Sequence, residues 1–131
     1  MKNILNLTQH ETTQDQILAG VFEPDPEQKK TIQKLLTVEV IPTAHNLKTR
    51  AAQLAEIAWD LTHGDTQDWT NAVMIGGAPF LMSYLEKALQ AQGLQPLYSF
   101  SKRVVTELEH SDGTVEKKAV FKHVGWVEAF E

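Results

Sequence analysis

Three short stretches of this chain combine residue types that hold phosphate. Gly76-Gly77-Ala78-Pro79 directly follows the apolar run Asn71-Ala72-Val73-Met74-Ile75. Glycines there let backbone N–H groups come close to a ligand, and a helix opening at Pro79 would add partial positive charge. Ser101-Lys102-Arg103 sets a compact ammonium beside a forked guanidinium, two complementary grips on phosphate oxygens. Thr8-Gln9-His10 closes the apolar N-terminal segment with side-chain donors and a histidine. Each signal has a plainer alternative. Gly-Gly-x-Pro also makes a tight strand-to-helix connection, and adjacent cations also open a solvated hairpin. The glycines form neither a GxGxxG fingerprint nor a P-loop.

The elements needed to position these stretches can be read from patterning. Met1 to Leu7 reads as a strand. Thr12 or Thr13 can cap a short helix that Gly20 ends. A second helix spans Glu27 to Leu36, and the β-branched Thr37-Val38-Glu39-Val40-Ile41 reads as a strand stopped by Pro42. Leu47, Ala51, Leu54, Ala55, Ala58 and Leu61 recur at helical spacing, and His63-Gly64-Asp65 breaks that helix. Asn71 to Ile75 fits a strand buried on both faces, followed by a helix from Pro79 to about Gln92. Pro96 to Phe100 is the next strand. Arg103 to His110 and Thr114 to Val127 then flank Ser111-Asp112-Gly113, a hairpin signal. The expected fold is one Rossmann-like α/β domain over 1–131, a mostly parallel sheet flanked by helices with a C-terminal β-hairpin.

In such sheets ligands sit at the carboxyl ends of the strands, where the three stretches converge. A two-residue loop at Asp112-Gly113 would set Lys102 opposite His123, Arg103 opposite Lys122, and Glu107 opposite Lys118. A bulge would shift that register. Like charges facing each other favour an anion nearby. Of the five histidines, His45, His63 and His110 fall in expected loops or turns and read as surface residues. His10 and His123 are the candidates for proton transfer, because histidine titrates near neutral pH. No metal-ligand spacing is present, so neither metal nor cofactor is expected. Trp59 reads as core and Trp126 as packing at the end of the hairpin; tryptophans, Trp69 included, can also stack on bases.

Composition narrows the partners. The 131 residues carry 12 Lys plus Arg against 17 Asp plus Glu, a formal net charge of −5. Long nucleic acid is normally gripped by a broad basic face, which argues against it as a partner. There are no cysteines, so disulfides and thiolate catalysis are excluded. The apolar start is too short for a signal peptide, and no apolar stretch approaches the roughly 20 residues of a membrane span. A cytoplasmic protein is expected.

In order and spacing, several segments together resemble a known family. They are Asn6-Leu7-Thr8-Gln9-His10 with Thr13 and Gln16, Ile75-Gly76-Gly77-Ala78, and Pro96-Leu97-Tyr98-Ser99-Phe100-Ser101-Lys102-Arg103. Glu107, Asp112-Gly113-Thr114-Val115 and Val120-Phe121-Lys122-His123-Val124 continue the match. This pattern is similar to the small CRISPR-associated Csx protein family numbered twenty, ring nucleases related to CARF domains. Departures are the Tyr98-Ser99-Phe100-Ser101 stretch, where a threonine-rich turn is expected, and Gly125-Trp126, where the ending is more basic. The resemblance implies a homodimer that binds a cyclic oligoadenylate, cyclic tetra-adenylate foremost, across its two-fold axis. It further implies cleavage of the ring, ending type III CRISPR signalling.

Such cleavage needs no external nucleophile, since a ribose 2′-OH attacks the adjacent phosphate once held in line. Positioning alone is worth roughly 7–11 kcal/mol at best. On this reading Lys102 and Arg103 hold phosphates and developing charge, while Ser101 orients the ligand. His10 or His123 protonates the 5′-oxygen. Thr8, Gln9, Gly76, Gly77, Ala78, Ser99 and Lys122 complete the binding set. Two other readings use the same pocket: a sensor or sponge that binds the ring without cutting it, and an unrelated mononucleotide-binding enzyme.

Overall fold

The computed structural model describes residues 3–64 and 70–130. Its elements are β1 (Ile4–Asn6), α1 (Gln14–Leu18), β2 (Val21–Phe22), α2 (Pro26–Leu36), α3 (Ala44–Thr62), β3 (Ala72–Met74), α4 (Pro79–Ala91), β4 (Gln95–Glu109) and β5 (Val115–Glu128). The expected α/β class is what forms: one sheet in the order β2-β1-β3-β4-β5. Its first four strands are parallel, and β5 returns antiparallel to β4.

Leu5, Leu7, Val73 and Ile75 point to one face, where they pack with Ile32, Leu54, Leu81, Leu85 and Leu89 from α2, α3 and α4. The opposite face carries Ile4, Val21, Ala72, Met74 and Leu97, with Trp126 packed against them. This two-sided burial follows from central strands that are apolar at nearly every position, Asn6 at the end of β1 being the exception. Burying each large aliphatic side chain stabilises the fold by about 1.5–3 kcal/mol before conformational entropy is subtracted.

Local signals at several boundaries act as expected. Thr13 caps α1 in a reciprocal capping box with Gln16, and Gly20 leaves the helix at φ 98°. Pro79 is the first residue of α4. Four expectations are corrected. Residues 37–41 form no strand: they cross the surface between α2 and α3, with Val40 79% and Ile41 97% exposed. β-branching favours a strand only where a neighbour supplies a ladder, and none of the described strands pairs with this segment. The two-residue β2 is too short for a period-2 pattern to reveal. Trp59 is not core but 40% exposed, stacked on His63 at 4.7 Å. His45 lies in the first turn of α3. Trp69 and Asp65 lie outside the described residues.

The fourth correction is the hairpin register. The loop has three residues, Ser111-Asp112-Gly113, closed by His110 N–H donating to Thr114 O (2.8 Å), with Gly113 at φ 87°. Lys102 therefore pairs with Lys122, Arg103 with Phe121, and Glu107 with Lys117, rather than with His123, Lys122 and Lys118. A β-bulge between Phe100 and Ser101 makes Val124 the extra residue on β5 and restores the other register toward the core. β3 accompanies β4 only at Gln95–Leu97, so beyond it β4 and β5 project as a two-stranded arm. Among the described residues no helix is long and apolar enough to cross a membrane.

Candidate functional site

The sheet reverses its winding between β1 and β3, because β2 lies on one side of β1 and β3 on the other. At such a switch point the loops leaving the two strands diverge and open a crevice. Here the crevice is a cavity of about 450 Å³. Thr8, Gln9 and His10 line it from β1, Gly76 and Gly77 from β3, Tyr98 and Ser99 from β4, and Thr13 and Gln16 from α1.

The β1 loop is built around a buried asparagine. Asn6 has no exposed surface, and its Oδ1 accepts from Thr8 N (3.0 Å) and Thr8 Oγ1 (2.7 Å). Its Nδ2 donates to His10 O (2.8 Å) and Glu23 Oε1 (2.6 Å). Lys29 Nζ donates to Thr8 O and His10 O, both at 3.1 Å, and pairs with Glu23 at 3.0 Å. Glu23 also accepts from the backbone and hydroxyl of Thr12. Burial acts to raise the Glu23 pKa, but donors from Thr12, Asn6 and Lys29 outweigh it and hold the carboxyl below its ordinary value. Thus Asn6, Glu23 and Lys29 fix the loop that carries His10, whose side chain stays exposed.

On the opposite lip, Ser99 Oγ and His123 Nδ1 lie 2.6 Å apart. Gln16 Nε2 donates to Ser99 Oγ (3.3 Å), while Gln16 Oε1 accepts from Thr13 N in the capping box. One assignment satisfies all these groups when His123 is neutral: Ser99 donates to Nδ1, leaving the imidazole proton on Nε2. A protonated His123 can donate Nδ1–H to the same oxygen after the hydroxyl turns. The serine thus holds the ring in both protonation states. Trp126 packs on the imidazole with centroids 4.5 Å apart. Beside Ser99, the Tyr98 hydroxyl donates to Glu86 Oε2 (2.5 Å); burial and that carboxylate push the phenol above its ordinary pKa.

Among the expected site residues, Thr8, Gln9, His10, Gly76, Gly77 and Ser99 meet at the cavity, and His123 joins through Ser99. Ala78 caps α4 by position, without a side-chain bond. Ser101, Lys102, Arg103 and Lys122 do not line the cavity; they are exposed on the arm just beyond it. Strand alternation sends Lys102 and Lys122 to one face of the arm, and Ser101, Arg103 and His123 to the other. Sequence reasoning missed Tyr98 and Glu11 as lining residues, and the roles of Glu23 and Lys29. For Gln16, the Thr-x-x-Gln spacing of a capping box was the available signal. His110, read as a surface residue, is exposed and pairs with Glu116 at 3.1 Å.

A family model described as Uncharacterized protein MJ1673 family matches residues 2–127. No curated protein and no solved structure matches the chain.

Proposed function

The chain belongs to the MJ1673 family, and we propose that it is a cytoplasmic ring nuclease that binds a cyclic oligoadenylate, cyclic tetra-adenylate foremost, and cuts it without a metal. The observation that carries this reading is the Ser99–His123 pair on one lip of the switch-point cavity, with His10 on the other. A cavity of about 450 Å³ suits a nucleotide unit rather than a whole ring, so the remaining nucleotides of the ring lie outside it. The Gly76-Gly77 backbone and the start of α4 favour phosphate at its floor.

In the reaction, the ribose 2′-oxygen forms a bond to the adjacent phosphorus and the P–O5′ bond breaks. The 2′-OH proton leaves to a base, and the 5′-oxygen takes a proton from an acid. The products are a 2′,3′-cyclic phosphate and a 5′-hydroxyl. His10 and the Ser99-anchored His123 are the two groups for these transfers, each worth about 10²–10⁴ in rate. Lys102 and Lys122, paired across the arm, attract the phosphates that extend past the cavity.

One feature favours a second reading, a sensor that binds without cutting: among the described residues no Lys or Arg lines the cavity, so charge stabilisation at the reacting phosphate rests on the arm. Incubation with cyclic tetra-adenylate in EDTA, followed by mass spectrometry, separates the two. Linear di-adenylate ending in a 2′,3′-cyclic phosphate supports the nuclease. Intact ring with a raised melting temperature supports the sensor. Neither cleavage nor a thermal shift overturns both.

A further inference from the structure

The β4–β5 arm is unusual as an isolated feature. Among the described residues, no strand besides its partner lies beside β4 past Leu97 or beside β5, and two-stranded ribbons are marginal in water. It nevertheless exposes large apolar side chains, Phe121 by 77% and Val105 by 56%. The pairing places Arg103 beside Phe121, Val105 beside Ala119, and Glu107 beside Lys117, and alternation puts all six on one face. Along β4 this face runs cation, valine, anion at equal spacing.

That order is self-complementary. A two-fold axis lying in the plane of contact, across the strands at Val105 and Ala119, stacks one arm on a second copy with its direction reversed. Val105 then meets Val105 of the partner subunit, and Arg103 meets Glu107 of the partner subunit, twice by symmetry. Phe121 covers the aliphatic stem of Lys117 of the partner subunit. The other face carries three cations, Lys102, Lys118 and Lys122, against the single anion Glu116, so stacking it on itself leaves lysines facing one another without partners.

We infer that the arm is a dimerisation element, its Arg103–Val105–Glu107 face covered by the same face of a second copy. This inference rests on the arm alone, and because the copies run in opposite directions it sets their cavities at opposite ends of the dimer, each taking its own ligand. It leaves the lysine face of each arm, opposite the face that carries His123, open to solvent.

Light scattering on the ligand-free protein tests it, with a mass twice the 14.7 kDa chain expected. Arg103→Glu and Glu107→Arg each place like charges together twice per dimer and should raise the dimer Kd about tenfold. The double variant restores opposite signs and should return the Kd near its original value. Because the chain has no cysteine, single introduced thiols report geometry directly. Under mild oxidation Val105→Cys, on the axis, should form a disulfide-linked dimer, and Asp112→Cys, at the remote tips, should not. A monomer at all concentrations, a dimer indifferent to both charge reversals, or cross-linking through Asp112→Cys in preference to Val105→Cys would overturn the proposal.

Discussion

Replacing Asn6 by aspartate changes one NH₂ into an oxygen and tests how the β1 loop is held. The new carboxylate keeps the acceptor for Thr8 N and Thr8 Oγ1. It loses both donated bonds, at 2.8 Å to His10 O and at 2.6 Å to Glu23 Oε1, and sets two carboxylates in contact. The lost bond to a charged acceptor is worth about 1.5–3 kcal/mol and the neutral one about 0.5–1.5. With the like-charge contact, the total is about 3–5 kcal/mol at pH 7, a large part of a typical domain's 5–15. The repulsion raises the folded-state pKa of the pair above its unfolded values of about 3.9 and 4.3. The native variant therefore takes up a proton as pH falls through that raised value, and its deficit against wild type shrinks. A protonated carboxyl can donate to Glu23, so below about pH 4.5 the gap should narrow to about 1–2 kcal/mol. Urea unfolding of both proteins at pH 7.5 and 4.5 measures it. A gap that stays constant, or widens in acid, refutes the account of Asn6 as donor to an ionised Glu23.

Other outcomes follow from the same geometry. Because the Glu23 carboxyl is held below its ordinary pKa, it contributes stability above its unfolded pKa that is lost as pH falls through the folded value. Glu23→Gln should thus melt lower than wild type at pH 7, and the two melting temperatures should begin to draw together as pH falls below the ordinary carboxylate range. At the cavity floor, Gly77 has φ 152° and a Cβ there would lie 3.4 Å from Met82 Cε, whereas a Cβ on Gly76 meets only Thr8 Cγ2 at 3.7 Å. Gly77→Ala should cost about 1–3 kcal/mol in chemical denaturation and Gly76→Ala well under 1. If the ring is cut, His123→Ala should lower the cleavage rate about 10²-fold or more, and Ser99→Ala should lower it less while altering its pH profile. Equal turnover by His123→Ala and wild type would remove His123 from the reaction.

Features written in adjacent residues were legible from the sequence: the Thr13 cap, the Pro79 start of α4, the Gly113 turn and the buried run at Ala72–Met74. So was the convergence of Thr8, Gln9, His10, Gly76, Gly77 and Ser99, since parallel strands bring their carboxyl ends together. What escaped depends on long-range placement. Glu23 and Lys29 act on the β1 loop only through the tertiary fold, and nothing in their spacing signals it. Residues 37–41 have the side chains of a strand without the neighbour. The error at Lys102 and Arg103 came from one residue of loop length, which moved every partner along the arm by one.

The bulged Val124 also bears on how this hairpin can change length. Deleting that residue would merge the two registers into one continuous ladder and leave both ends of β5 facing as they do now. A single deletion elsewhere in β4 or β5 would turn every later side chain to the opposite face. Relatives whose hairpins differ in length should therefore do so in pairs of residues, or by one residue at the turn or at Val124. The bulge is the place where this arm can tolerate an odd insertion or deletion without losing either Trp126 from the core or Phe121 from the arm face.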